Sequence, residues 1–243
     1  MKSVVIIPAR MAATRFPGKP LVDLCGKPMI QWVYERASEA AGVSRVIVAT
    51  CDVDIADVVK GFGGEVAMTS SRHRSGTDRL AEAAADLDAD IIVNVQGDEP
   101  LIDPASIELA LEPFACDPKV VMTSLMTPID PESAKEPNLV KVVVDVNNYA
   151  LYFSRSPIPY ERKPLQGRPI YGHVGLYAYT KDFLIQFSSL DPTPLELAES
   201  LEQLRAIEHG YRIKMVEVES RPMGVDTMDD LKRVESAIMN GEI

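Results

Sequence analysis

The feature that most constrains the fold of this chain is a series of short apolar runs separated by segments of helical spacing. Residues 4–7 (VVII), 45–50 and 91–95 read as strands whose interiors present no polar face to water. A half-exposed strand alternates apolar and polar residues; a continuous apolar run marks a strand covered on both sides, as in a parallel sheet. Between the runs, residues 28–41 place Ile30, Val33, Tyr34 and Ala37 at helical spacing, and Pro28 suits a first helical turn. Residues 54–62 do the same with Ile55, Val58, Val59 and Phe62 before Gly63 and Gly64 end the helix. The rhythm is βαβ, so the expected class is α/β, with a mixed, mostly parallel sheet and helices on both faces.

Thr77 is a candidate cap for a helix holding Leu80, Ala81 and Ala84, and Asp103-Pro104 opens another. From about residue 120 to 175 the pattern changes. Strand-like residues 120–126, 140–145 and 150–154 are separated by Pro- and Asn-rich turns, which predicts an antiparallel excursion from a single domain spanning residues 1–243. Residues 156–170 carry four prolines and several charges and read as an exposed loop or arm. A strand at 173–179 follows, then helices opened by Thr180 and Pro194. The second is expected to run on through Leu197, Leu201 and Leu204 to Gly210, with Glu202 and Gln203 facing water. Residues 213–218 and a last helix with Leu231, Val234 and Ile238 complete the chain.

The composition excludes several classes. A net charge of -11 and a pI near 4.8 argue against general nucleic-acid binding, which needs clustered Lys and Arg. No apolar run reaches the roughly 18 residues of a membrane span, and the N-terminus reads as a core strand rather than a signal peptide, so a cytoplasmic protein without membrane partners is expected. Cys25, Cys51 and Cys116 are odd in number and widely spaced, suggesting neither disulfides nor zinc, but buried or half-buried thiols.

Against that acidic background, Arg10, Arg15 and Lys19 stand within ten residues on the loop after the first strand. The carboxyl ends of parallel strands are where open α/β sheets bind ligands, and a polyphosphate rewards such charges most. The loop therefore reads as a triphosphate clamp. Gln96-Gly97-Asp98-Glu99-Pro100 follows residues 91–95 at the same sheet edge, and Asp98 is a candidate Mg²⁺ ligand, since Mg²⁺ takes one or two carboxylates together with phosphate oxygens. Asp226, before a helix cap at Thr227, is a candidate second carboxylate. For Asp98 a strand-end turn and for Asp226 a position beside a cap are the plainer alternatives. Pro17-Gly18-Lys19-Pro20 is not a phosphate loop of the ATPase kind: Pro20 stands where Ser or Thr is needed, and the first glycine is missing. No G-x-G-x-x-G occurs, which removes the usual support for a dinucleotide-dependent dehydrogenase.

IPAR-x4-R-x-PGKPL, H-x-SGTDRL, NVQGDEP, ALYFSRSPIPY, H-x-GLYAY, LEQLR and GVDT occur in this order between Ile7 and Thr227. In these motifs the chain resembles the 3-deoxy-manno-octulosonate (Kdo) cytidylyltransferases, the CMP-Kdo synthetase family. The resemblance implies a Rossmann-like, GT-A-type nucleotidyltransferase whose antiparallel excursion serves a homodimer. It implies a reaction of CTP with Kdo that uses Mg²⁺, releases pyrophosphate and supplies lipopolysaccharide or capsule assembly. Pro8, Ala9, Arg10, Arg15 and Lys19 fall on the family's nucleotide loop, with Arg10, Lys19 and Asp98 implied in catalysis. Ser75 and Gly76 fall where the family approaches the cytidine, although a helix cap is their ordinary reading. Gln96, Arg155, His173, Tyr177, Glu202 and Gln203 fall on the acid-sugar positions. Arg155 is the best partner for the sugar carboxylate by its bidentate fork, with a surface ion pair as the alternative.

The sequence departs from the family pattern at Met11, Ala12 and Ala13, where an aromatic or small hydroxyl residue often stands, and at Cys51, which replaces an acidic residue and leaves Asp52. The 8-amino-Kdo cytidylyltransferases are the nearest rival, the sialate cytidylyltransferases are set apart by their opening loop, and a non-catalytic CTP-binding module is the rival from another class.

Overall fold

The structure, a computed structural model, describes residues 1–12, 16–73, 75–163, 169–219 and 221–241. In chain order its elements are β1 (Ser3–Ala9), β2 (Asp23–Leu24), β3 (Lys27–Pro28), α1 (Met29–Ser38), β4 (Val43–Thr50), α2 (Val53–Gly61), β5 (Glu65–Met68), α3 (Gly76–Ala84), β6 (Ile91–Asn94) and α4 (Pro104–Cys116). They continue with β7 (Met122–Ile129), β8 (Lys141–Val144), β9 (Ala150–Ser154), β10 (Ile170–Thr180), α5 (Lys181–Ser188), α6 (Pro194–Glu199), α7 (Gln203–Glu208), β11 (Lys214–Glu217) and α8 (Met228–Met239). They form two compact units. The first comprises Met1–Glu108, Thr180–Ser188 and Pro222–Ile243, the second Leu109–Tyr179 and Ser189–Arg221.

In the first unit four strands run parallel in the order β6-β1-β4-β5. Val4, Val5, Ile6, Ile7, Val48, Ala49, Ile92 and Val93 have essentially no exposed surface, as strands covered on both faces require. The register of β1 with β6 pairs Ile6 with Asn94, so the chain leaves both strands side by side, as Pro8–Arg10 from one and Gln96–Asp98 from the other. Gly97 permits this approach: a Cβ there would lie 3.1 Å from the Pro8 carbonyl oxygen. Helix α8 brings Leu231 and Val234 onto Leu24 and Met29, and this packing returns Val225 and Asp226 to the same sheet edge.

The second unit holds the antiparallel strands: β10 pairs with β7 and β8, β8 pairs with β9, and β11 runs parallel to β7. The fold is thus mixed α/β with a mostly parallel sheet and an antiparallel excursion, as the apolar runs and the turns predict.

Several local expectations are corrected. Strand β5 follows Gly63-Gly64 where no strand was read, because its residues are only half-buried or exposed and lack an apolar run. The cap of α3 is Ser75 rather than Thr77: Ser75 Oγ accepts from the Asp78 N–H at 3.1 Å, and the Asp78 carboxylate accepts from the Ser75 N–H at 3.2 Å. The helix expected from Pro194 to Gly210 is broken at Ser200, whose φ of 53° is left-handed. Leu197, expected on its apolar face, is therefore exposed while Leu201 and Leu204 are buried, and Gln203 is buried where a solvent-facing residue was expected. Pro28 precedes α1 rather than lying in its first turn. Cys25 and Cys116 are exposed, not buried, and Cys51 is half-buried. Of the loop expected at 156–170, residues 164–168 lie outside the described residues.

Candidate active site

The loop after β1 is anchored at both ends. The Met11 N–H donates to the Asp52 carboxylate at 2.8 Å, and the Met11 carbonyl accepts from the Gly18 N–H at 3.2 Å. Gly18 takes a φ of 73°, a conformation glycine adopts without penalty, and the turn delivers Lys19. Asp52 stands at the N-cap position of α2, yet its carboxylate is engaged by the loop rather than by the helix. Asp52 is a contributor that sequence reasoning did not assign; the only signal was its place after a strand-end Ala-Thr-Cys. Arg15 lies outside the described residues.

Lys19 is the centre of the constellation. Its side chain is only 12% exposed, and its Nζ donates to Asp98 Oδ2 at 2.6 Å and Asp226 Oδ1 at 3.2 Å. The two aspartates, 128 positions apart in sequence, therefore meet around one cation. The backbone ties the same loops together, since the Val225 N–H donates to the Asp98 carbonyl at 2.8 Å. A recess of about 270 Å³ opens here, bordered by Pro8, Ala9, Arg10, Lys19, Asp98 and Asp226 among others. Arg10 is exposed.

A second recess, also about 270 Å³, shares Pro8, Ala9, Arg10, Gln96 and Asp98 with the first and adds His73, Ser75, Gly76 and Arg79. The start of α3 is held against the β1 loop, for a Cβ on Gly76 would lie 3.6 Å from Pro8 Cγ. Both the hydroxyl and the N–H of Ser75 are engaged in its capping box, so Ser75 reaches this recess as the cap of a fixed helix start. Arg79, within the SGTDRL motif but not singled out from it, is buried and donates to Thr69 Oγ1 and, at 3.6 Å, to Cys51 Sγ. Gln96, expected with the sugar positions, borders both recesses of this unit.

The remaining acid-sugar positions all fall in the second unit. His173 and Tyr177 both lie on β10, with ring centroids 5.4 Å apart, and Phe153 meets His173 edge-on at 5.0 Å. His173 Nε2 lies 2.8 Å from Ser124 Oγ, which is also 2.9 Å from the Leu176 carbonyl. A hydroxyl has one proton; if the carbonyl takes it, Nε2–H donates to Oγ and Nδ1 carries the lone pair. Burial, with a smaller push from Arg221, lowers the His173 pKa to about 3, so the ring is neutral near pH 7. Arg155 is held by carbonyls rather than by a surface ion pair: Nε donates to Glu199 O at 2.8 Å, Nη1 to Pro137 O at 3.2 Å and Nη2 to Ser200 O at 3.4 Å. Glu202 and Gln203 begin α7 just beyond Ser200, with Gln203 buried.

Comparison with known proteins gives the family of the chain. A family model described as cytidylyltransferase matches residues 4–214. The chain is 53% identical to the 3-deoxy-manno-octulosonate cytidylyltransferase of Syntrophotalea carbinolica over 97% of this chain and 98% of that one. It is 56% identical to that of Geotalea uraniireducens over 96% and 98%. The solved structure of a CMP:2-keto-3-deoxy-manno-octonic acid synthetase complexed with CTP superposes with a TM-score of 0.95, at 47% identity and full coverage of both chains. A 4-diphosphocytidyl-2C-methyl-D-erythritol synthase from Anaerococcus prevotii, 14% identical with a TM-score of 0.65, shares the fold. With a family model matched over residues 4–214 and relatives matched over nearly their whole length, the chain belongs to the 3-deoxy-manno-octulosonate cytidylyltransferase family.

Proposed function

We propose that the protein joins CTP to 3-deoxy-D-manno-octulosonate. The anomeric hydroxyl oxygen of the sugar forms a bond to the α-phosphorus of CTP, the bond from that phosphorus to the bridging oxygen breaks, and pyrophosphate leaves. The hydroxyl proton passes to solvent, and CMP-Kdo results. The observation that carries this reading is the meeting of Asp98 and Asp226 at the Lys19 ammonium beside the β1 loop.

The donor set fits Mg²⁺. Two carboxylates already share one cation, and among the described residues no cluster of three or more His, Cys, Asp or Glu offers an all-protein cage, which suits an ion that keeps phosphate and water ligands. Asp98 and Asp226 would hold it, and when bound it neutralises charge gathering on the phosphates. Arg10 and Lys19 bind phosphate oxygens from the protein side. Gly76 and the Ser75 carbonyl read the base edge, and Arg79 stiffens that wall. In the second unit Arg155 takes the sugar carboxylate, and neutral His173, Tyr177, Glu202 and Gln203 take hydroxyl groups. Rate acceleration then comes from positioning and charge neutralisation, without a covalent intermediate.

The reading extends to a homodimer, supported by exposed Val146 and Leu151 beside and on β9, and to the cytoplasm, supported by three free thiols. No helix among the described residues is long and apolar enough to cross a membrane. The product would feed lipopolysaccharide or capsule assembly. Pyrophosphate release is expected only when CTP, Mg²⁺ and Kdo are all present, with slower turnover of the 8-amino sugar. Asp98→Asn is expected to keep the fold by circular dichroism and lose at least about 100-fold in kcat. Release without any acid sugar, or an active Asp98→Asn, would refute the assignment.

A further inference from the structure

The roles above leave unused the most deeply buried cation among the described residues of the second unit. Lys141 has no exposed surface, and its Nζ donates to three main-chain carbonyls: Glu136 at 2.9 Å, Leu139 at 2.7 Å and Arg155 at 2.5 Å. An ammonium has three N–H donors, so this head is saturated, with no carboxylate in contact among the described residues. A buried charge is retained only where every donor is met, and here the partners come from two segments, the turn before β8 and the exit of β9. The ammonium stitches those segments together at Arg155.

Glu199 closes the other side. Its carboxylate accepts from the Ser154 hydroxyl at 2.6 Å and from the Arg155 N–H at 2.9 Å, while its carbonyl accepts from Arg155 Nε at 2.8 Å. Arg155 is thereby fixed through its carbonyl oxygen, its amide and its guanidinium. Three of the five guanidinium N–H groups are engaged by neutral carbonyls, which leaves one on each Nη. Two such N–H groups are the number a carboxylate takes in bidentate binding. The groups holding the guanidinium are carbonyls, and the nearby Glu199 carboxylate meets the backbone N–H of Arg155 rather than its guanidinium. The bonds to Glu199 O and Ser200 O also couple it to the break that starts α7, where Glu202 and Gln203 stand.

We propose that Lys141 and Glu199 are positioning residues that pre-set Arg155 to receive the carboxylate of the acid sugar. The proposal rests on the cytidylyltransferase reading and adds to it two residues that touch no substrate. A guanidinium already immobilised loses little rotamer freedom on binding, so the frame acts on sugar affinity and not on the nucleotide.

The test is steady-state kinetics of the full chain with CTP and Kdo varied in turn, beside thermal unfolding. Glu199→Ala is expected to raise KM for the sugar about tenfold while KM for CTP stays within about twofold, and Glu199→Gln, which still accepts the Arg155 N–H, is expected to restore most of the affinity. Lys141→Met, with a similar stem and no ammonium, is expected to show the same selective rise; should it not fold, the Glu199 pair decides alone. A sugar KM unchanged in Glu199→Ala, or a rise equal for both substrates with Glu199→Gln no better, would overturn the proposal. A wild-type chain that released no pyrophosphate with Kdo would instead overturn the activity reading, and the positioning role with it.

Discussion

Lowering the pH from 8 to 5 should weaken the second unit through His173. His173 is 8% exposed, its ring set among Phe153, Tyr177 and Ser124, and its pKa is about 3 against an ordinary 6.5. A folded pKa below the unfolded one means that the unfolded chain takes up the proton first. The contribution is therefore intact above about pH 6.5 and is lost as pH falls toward 3. Linkage over that shift gives a loss of about 2 kcal/mol between pH 8 and pH 5, rising to roughly 5 kcal/mol below pH 3. His173→Gln isolates the effect, because the amide keeps an N–H donor for Ser124 Oγ and does not titrate. Seven of the eight tyrosines lie in the second unit and the single tryptophan, Trp32, in the first, so near-ultraviolet circular dichroism of tyrosine during urea unfolding reads the relevant unit. Between pH 8 and pH 5 the wild type should lose about 2 kcal/mol more than His173→Gln. Equal losses in the two proteins would refute a neutral, buried His173.

Lys19→Met leaves Asp98 and Asp226 facing each other without their shared cation, so kcat/KM is expected to fall at least about 100-fold. Added Mg²⁺ should raise its melting temperature more than that of the wild type; an equal rise in thermal scans would count against a common cation position. Gly97→Ala sets a Cβ 3.1 Å from Pro8 O and 3.6 Å from Ile30 Cδ1 and Ile7 Cγ2. It should cost about 1–2 kcal/mol, measured as the urea midpoint from Trp32 fluorescence, and raise KM for CTP.

What was legible in the sequence was what burial writes into residue type. Strands β1, β4 and β6 are apolar because both their faces are covered, and so they could be read. Strand β5 could not: it pairs with β4 through Glu65, Val66, Ala67 and Met68, none of them buried. The break at Ser200 was hidden for another reason. Serine carries no strong preference for a left-handed φ, and Leu197, Leu201 and Leu204 keep helical spacing across a point where the helix is not continuous. Reading that stretch as one helix turned Gln203 toward water, whereas the break buries it. Arg155 was visible as a fork, but its carbonyl partners at Pro137, Glu199 and Ser200 come from three separate turns that no spacing rule links.

The candidate site shows the same division in its electrostatics. Arg10, Arg15 and Lys19 read as a cluster of cations free to grip a polyphosphate, and the residue types are right for that. In the fold, however, Lys19 is held between two carboxylates, so the trio of Lys19, Asp98 and Asp226 carries one positive charge against two negative ones. A triphosphate approaching it meets an excess of like charge, which solvent around the half-exposed acids and the neighbouring Arg10 offset in part. Binding is strengthened if the ligand brings positive charge with it or the ammonium turns from the acids to the phosphates. Asp98 and Asp226 would hold a divalent ion that supplied this charge, and the Lys19 ammonium would then serve the nucleotide. The acidic partners of the lysine thus argue for a metal more strongly than the run of cations argues for a clamp.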